Sequence, residues 1–233
     1  MTEEDAKNWV KDKTNQNLIV SKFFEDHEPS KIKLAFFMAG IPGSGKTEFA
    51  ENTIKEGSPE LISIEHDKLV EYIKGYQPQD YYKFRKAGSI LVSRILKECL
   101  SNGYGFIFDG TLSHSKGIKN IQKTIGEGYK VVIIYIVQDA TKAWSLTKDR
   151  ELLKKRAIEK KGFLNTCKII NANLNHIFRL FKENENFNFW IIDKNVDPTT
   201  NKATSIIYNE KEIGTAMEIE KALEFSYNIE NIT

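Results

Sequence analysis

The chain is short of cysteine, has no long apolar run and carries almost no net charge. Its 233 residues include 2 cysteines, Cys99 and Cys167. They are far apart and in no metal-ligand spacing, so they read as reduced thiols of a cytosolic protein. The longest apolar run, "VVIIYIV", is far too short to span a bilayer. The opening "MTEEDAKNWVKDK" is charged and acidic. It has neither the apolar centre of a secretion signal nor the arginine-rich bias of a transit peptide. The expectation is a cytoplasmic protein with no membrane partner. Lys and Arg total 34 against 32 Asp and Glu, a net charge of +2. That implies no global attraction to nucleic acid or to an anionic membrane, so any basic character is local. Internal repeats and low-complexity segments are also missing. A guanine-reading N-K-x-D is absent: "NKAT" at 201–204 lacks the acid, and "IDKN" is not that motif. No D-x-x-G follows a strand, which disfavours a GTP switch. With 40% hydrophobic residues, the chain can nonetheless bury a proper core.

The patterning supplies that core. Spaced apolar positions between 3 and 28 suit one or two amphipathic helices. "KLAFFMAG" reads as a buried strand, followed by a helix from Lys46 to about Lys55. "LISIE" is a second strand, and a long helix runs from about Asp80 to Ser101. "YGFIFDG" is a third strand that stops at an acid. "KGIKNIQKTIGEG" is helical, and "YKVVIIYIV" is a fourth strand whose unbroken apolar run fits a sheet covered on both faces. Helices from about Ala140 to Lys155 and from Leu164 to Lys182 follow, then a fifth strand in "NFWIID". "ATSIIYN" is an extra strand, and 209–225 a final helix. The alternation predicts a three-layer α/β domain with a largely parallel sheet of about five strands. Its expected division is an N-terminal helical segment at 1–30, a core at 31–195 and a C-terminal strand–helix extension at 196–233.

One loop in this frame carries chemistry. Gly40, Gly45, Lys46 and Thr47 match G-x-x-x-x-G-K-[ST], with Ile41, Pro42, Gly43 and Ser44 between. Glycines let backbone N–H groups turn inward around phosphate oxygens. The following helix points its partly positive N-terminus at the same anion. Lys46 would neutralise the β- and γ-phosphates, and Thr47 would ligate Mg²⁺. The alternative is a glycine-rich turn with a surface lysine, but a strand precedes the loop and a helix follows. ATP is the expected nucleotide.

Two acids and a basic segment surround this loop. "FIFDG" places Asp109 at the end of an apolar strand, where an acid orients Mg²⁺; a turn or capping aspartate is the plainer reading. Asp109, Gly110 and Thr111 form an acid–glycine–hydroxyl triplet on the sheet edge that faces ligands in open α/β folds. Asp67 in "ISIEHDKL" lies on the same edge and could take a proton from an acceptor hydroxyl. It could equally cap the next helix, and Glu65 and His66 compete for the role of base. "TKDRELLKKRAIEKKG" carries Arg150 and Arg156. Six residues apart, they face one site only if the helix ends or bends between them. As a lid over ATP, such arginines are worth ~10³–10⁵ in rate; as a solvated helix they make i,i+4 pairs.

The P-loop, then "IEHDKL", "DGTL" and "AWSLTKDRELLKKR", in that order, resemble the zeta toxin family over roughly residues 15–195. The resemblance implies a P-loop kinase using ATP and Mg²⁺. Its acceptor would be the 3′-hydroxyl of the sugar in UDP-N-acetylglucosamine or a related nucleotide sugar, and a small helical antitoxin would hold it in check. By position it implies Lys46 and Thr47 on ATP and Mg²⁺, Asp67 as catalytic base, Asp109 and Thr111 near substrate and metal, and Arg150 and Arg156 on the phosphates. The family lid often reads R-E-x-x-x-G-R-x-I-P; here Lys155 replaces the glycine and Glu159 the proline. "YQPQDYYKFRKAGS" is expected to line the acceptor pocket. Tyr76, Tyr81 and Tyr82 are available there for stacking and Arg85 for a diphosphate, although tyrosines so spaced also serve as packing. Two other readings remain on the same fold. One is a kinase of another small molecule or of a polynucleotide 5′-hydroxyl. The other is a nucleotide-binding module that acts through a partner without turnover.

Overall fold

The computed structural model of the chain describes residues 1–56, 60–113, 115–154, 158–195, 204–208 and 215–232. A six-stranded sheet forms the centre. Its strands are β1 (Leu34–Ala39), β2 (Ile62–Glu65), β3 (Phe106–Asp109), β4 (Lys130–Val137), β5 (Phe187–Asp193) and β6 (Thr204–Tyr208). The order across the sheet is β2-β3-β1-β4-β5-β6. The first five strands are parallel, as their apolar runs predict, and β6 joins β5 antiparallel at the edge.

Strand periodicity sorts alternate side chains into two cores. Ala35, Phe37 and Ala39 of β1 and Val131, Ile133, Tyr135 and Val137 of β4 enter one. Phe36, Met38, Val132, Ile134 and Ile136 enter the other. A residue in the middle of β1 or β4 has no solvent side, which is why these strands read as continuous apolar runs.

Helices cover both faces. α3 (Lys46–Glu56) brings Ala50, Phe49 and Ile54 to the smaller core. The larger core receives α1 (Glu3–Lys11), α2 (Lys13–Phe23), α5 (Tyr81–Asn102), α6 (Ser115–Gly126), α7 (Ala140–Lys154), α8 (Lys160–Phe181) and α9 (Ala216–Ala222). In α5 the buried positions Phe84, Ala87, Leu91, Ile95 and Cys99 keep three- and four-residue spacing along one face. That helix ends at Gly103, whose φ of 79° supplies the left-handed cap. Ala6, Val10 and Ile19 at one end of the chain and Ile219, Leu223 and Ile232 at the other lie in the same core cluster.

Three helices differ from the sequence reading. A one-turn helix, α4 (His66–Val70), follows β2 directly; five residues are too few for periodicity to show. α8 starts at Lys160, four residues ahead of the expected Leu164, before its first buried side chain, Phe163. The final helix is Ala216–Ala222, shorter than 209–225, of which 209–214 lie outside the described residues. No helix among the described residues is long and apolar enough to cross a membrane.

Candidate functional site

The loop between β1 and α3 folds as a cradle. Gly40, Gly43 and Gly45 all have φ between +79° and +149°, a region that L side chains avoid. Space forbids substitution as well: a Cβ on Gly43 would lie 2.1 Å from the Ala143 carbonyl oxygen of α7. Pro42 and Ser44 complete the turn, and the Ser44 N–H donates to the Ile41 carbonyl at 3.2 Å. The Ser44 hydroxyl is fully buried yet has no hydrogen-bond partner. Buried polar atoms are rarely left so, and an anion held by the loop would satisfy it.

Lys46 is buried at the first position of α3 and donates to the Ile41 carbonyl at 2.9 Å. Burial pushes its ammonium below the ordinary lysine value, and the Asp109 carboxylate pulls it partly back. The Thr47 hydroxyl donates to Asp109 Oδ2 at 2.8 Å across the sheet edge. Burial raises the Asp109 carboxyl, opposed by Lys46 and by the Thr47 hydrogen bond. No group of three or more His, Cys, Asp or Glu side chains among the described residues forms a metal cage. Thr47 and Asp109 could hold Mg²⁺ only together with other ligands such as nucleotide phosphates, the usual arrangement for that ion.

Beside this edge lies a cleft of about 210 Å³, walled by β3 and its loop together with α5 and α6. Asp109, Thr111, Ser113, Ser89, His66 and Lys116 give it polar atoms. Thr111 and Ser113 hydroxyls share a hydrogen bond of 2.7 Å. Leu112 between them has φ +51°, a left-handed conformation that costs roughly 1–2 kcal/mol in a branched residue. Its buried side chain and the hydrogen bond from Asn173 to the Ser113 carbonyl, 2.6 Å, hold the turn. Asp67 stands in the first turn of α4, half exposed, and accepts from the Tyr81 hydroxyl at 3.1 Å. It does not cap that helix, whose N-cap is Glu65. Glu65 is buried, accepts from Ser63 and pairs with Lys68 at 2.7 Å, so it is engaged in structure.

A profile of the zeta toxin family matches residues 20–211. The chain belongs to the zeta toxin family. Among solved structures it resembles a chain of the PezAT chromosomal toxin–antitoxin system of Streptococcus pneumoniae. The two share 16% identity at a TM-score of 0.67, over 90% of this chain and 87% of that one. A chain of the AvrRxo1-ORF1:ORF2 complex solved with ATP aligns at a TM-score of 0.63 and 15% identity, over 97% of this chain and 73% of that one. No match arises by sequence among characterised proteins. The zeta toxin fold is that of a P-loop phosphotransferase.

Not every expected site residue meets the cleft of this family member. Tyr82 is 66% exposed, with the Lys83 ammonium over its ring. Arg85 is exposed, and its backbone carbonyl, not its guanidinium, engages His66. Neither lines the cleft. Tyr76 packs edge-on against Phe84 in the core. α7 is described as far as Lys154 and carries Arg150. Arg150 pairs with Glu48 of α3, whereas Arg156 and Lys155 lie outside the described residues. Burial works to raise the Glu48 carboxyl, but its own backbone N–H and Arg150 outweigh that and hold it below the ordinary value.

Lys194 is the residue that the sequence reading passed over. The Lys194 N–H donates to the Val137 carbonyl at 2.9 Å, and Asn195 Oδ1 accepts from the Asp139 N–H at 2.7 Å. These bonds knit the ends of β4 and β5 and bring the Lys194 ammonium within 2.4 Å of where a Cβ on Gly45 would stand. The signal was present in "IDKN", set aside once it failed as a guanine motif.

Proposed function

We propose that this zeta toxin family chain transfers the γ-phosphoryl group of ATP to a hydroxyl of a nucleotide sugar such as UDP-N-acetylglucosamine. The observation that carries this reading is one sheet edge. There, Lys46, Thr47 and Asp109 adjoin a hydroxyl-lined cleft, and Asp67, bonded to Tyr81, follows the lining residue His66 in the chain. The P-loop N–H groups and Lys46 hold the phosphates. Thr47 and Asp109 would hold Mg²⁺, which would offset charge on the phosphate oxygens. Asp67 draws the proton from the acceptor hydroxyl as its oxygen attacks the γ-phosphorus. The bond to the β–γ bridging oxygen breaks, and ADP leaves. Arg150 and Arg156 spread the charge on the transferring group. Arg150 reaches it by exchanging Glu48 for phosphate. Thr111, which lines the cleft, contributes to acceptor binding. Its structural neighbours come from a toxin–antitoxin system and a two-protein complex, which supports a small helical antitoxin as the partner of this chain.

The test follows phosphate transfer by mass spectrometry. Protein, ATP and Mg²⁺ are mixed with nucleotide sugars, nucleosides and 5′-hydroxyl oligonucleotides, with Asp67→Asn alongside. The expected result is one added phosphate on UDP-N-acetylglucosamine, lost in Asp67→Asn. Transfer to another panel member would replace the substrate. ATP binding with no transfer at all would favour the binding-module alternative.

A further inference from the structure

His66 is tied to the base by proton arithmetic. His66 Nε2 lies 2.8 Å from the Arg85 carbonyl oxygen. A carbonyl only accepts, so Nε2 carries a proton. The other ring nitrogen, Nδ1, stands 2.9 Å from the Tyr81 hydroxyl, which also contacts Asp67 Oδ1 at 3.1 Å. Tyr81 has one hydroxyl proton for these two contacts. When His66 is neutral, Nδ1 is a bare acceptor and competes with Asp67 for that proton. When His66 is protonated, Nδ1–H donates to Tyr81, and the phenolic proton is committed to Asp67. The imidazolium then also stands 3.6 Å from Asp67 Oδ1. Both effects weaken Asp67 as a base.

The fold gives the ring a fitted seat. A Cβ on Gly88 would lie 2.8 Å from His66 Nε2 and 2.4 Å from Val70 Cγ1, so α5 presents bare backbone there. Burial holds the Tyr81 hydroxyl up at about 12, so it keeps its proton at neutral pH. The charged groups around His66 are Asp67, Glu65 and Lys68 on its own side, Arg85 on α5, and Asp109 and Lys116 on the cleft walls.

We propose that His66 governs the basicity of Asp67 through Tyr81, opening the base as the imidazole loses its proton. His66 and Tyr81 are positioning residues, and the inference rests on the reading of Asp67 as base. An imidazole brings this control into the range of about pH 5–8.

Nuclear magnetic resonance tests the coupling without any acceptor. The chain has 4 histidines, and His66→Gln assigns the relevant ring. Above its midpoint, His66 is expected as the Nε2–H tautomer. The Asp67 carboxyl resonance should move at the same midpoint, and Tyr81→Phe should at least halve that movement while His66 still titrates. An Nδ1–H tautomer, or an undiminished Asp67 response in Tyr81→Phe, overturns the proposal. ATP binding by each variant verifies its fold. With UDP-N-acetylglucosamine as the first acceptor, kcat should rise through the His66 midpoint and lose that step in His66→Gln, with KM for ATP unchanged. A step that persists in His66→Gln, with Asp67→Asn inactive, refutes the control but leaves the base. Turnover by Asp67→Asn refutes the base itself.

Discussion

Gly43 joins the phosphate loop to α7, and replacing it by alanine separates packing from backbone strain. Gly43, Gly75 and Gly103 all have φ +79°. Alanine at any of them meets the left-handed penalty of roughly 1–2 kcal/mol. At Gly75 and Gly103 a Cβ has nothing within 4 Å. At Gly43 it would lie 2.1 Å from the Ala143 carbonyl oxygen and 2.7 Å from Thr147 Oγ1. Backbone cannot rotate away, so loop and helix must part. Such intrusion adds about 1–3 kcal/mol, a total of about 2–5 kcal/mol. For a urea dependence of about 2 kcal/mol/M, the unfolding midpoint should fall by about 1–2.5 M in Gly43→Ala and about 0.5–1 M in Gly103→Ala. ATP affinity, read with a fluorescent analogue, should collapse in the first variant and persist in the second. Equal midpoint shifts in the two, or ATP affinity retained in Gly43→Ala, would refute the steric reasoning.

Lys46→Ala should remove measurable ATP binding in calorimetry, since it deletes the buried cation of the cradle. Lys194→Ala should weaken ATP binding about tenfold, or 1.4 kcal/mol, with little effect on adenosine; equal losses for both ligands would place Lys194 elsewhere. Asp109→Asn should abolish Mg²⁺-dependent transfer yet raise the urea midpoint at pH 7. The sign follows from the raised carboxyl: ionised Asp109 destabilises the fold above its folded value, and that penalty vanishes as pH falls to its ordinary 3.8. The advantage of Asp109→Asn should therefore shrink with acidification, and a constant advantage from pH 7 to pH 4 would contradict the burial argument.

The sequence by itself determined the sheet and the cradle. Both depend on local rules: an apolar run buried on both faces has to be an inner strand, and glycines before Lys46 and Thr47 have to turn inward. The order β2-β3-β1-β4-β5-β6 was not legible, because strand neighbours are chosen by packing across the whole chain. α4 escaped notice because one helical turn holds too little periodicity. The different surroundings of Glu65, His66 and Asp67 likewise came only from the tertiary structure. Three adjacent polar residues look alike in sequence, but burial gave Glu65 to Lys68, and α5 brought Tyr81 between His66 and Asp67. Tyr82 was the sequence candidate for the acceptor, but helix phase turned it outward and brought its neighbour Tyr81 to Asp67. Lys194 reached Gly45 only because β5 lies beside β4 in the sheet, a neighbourhood that 148 intervening positions conceal. Local conformation follows from nearby residues, whereas convergence of distant side chains follows from the packed sheet.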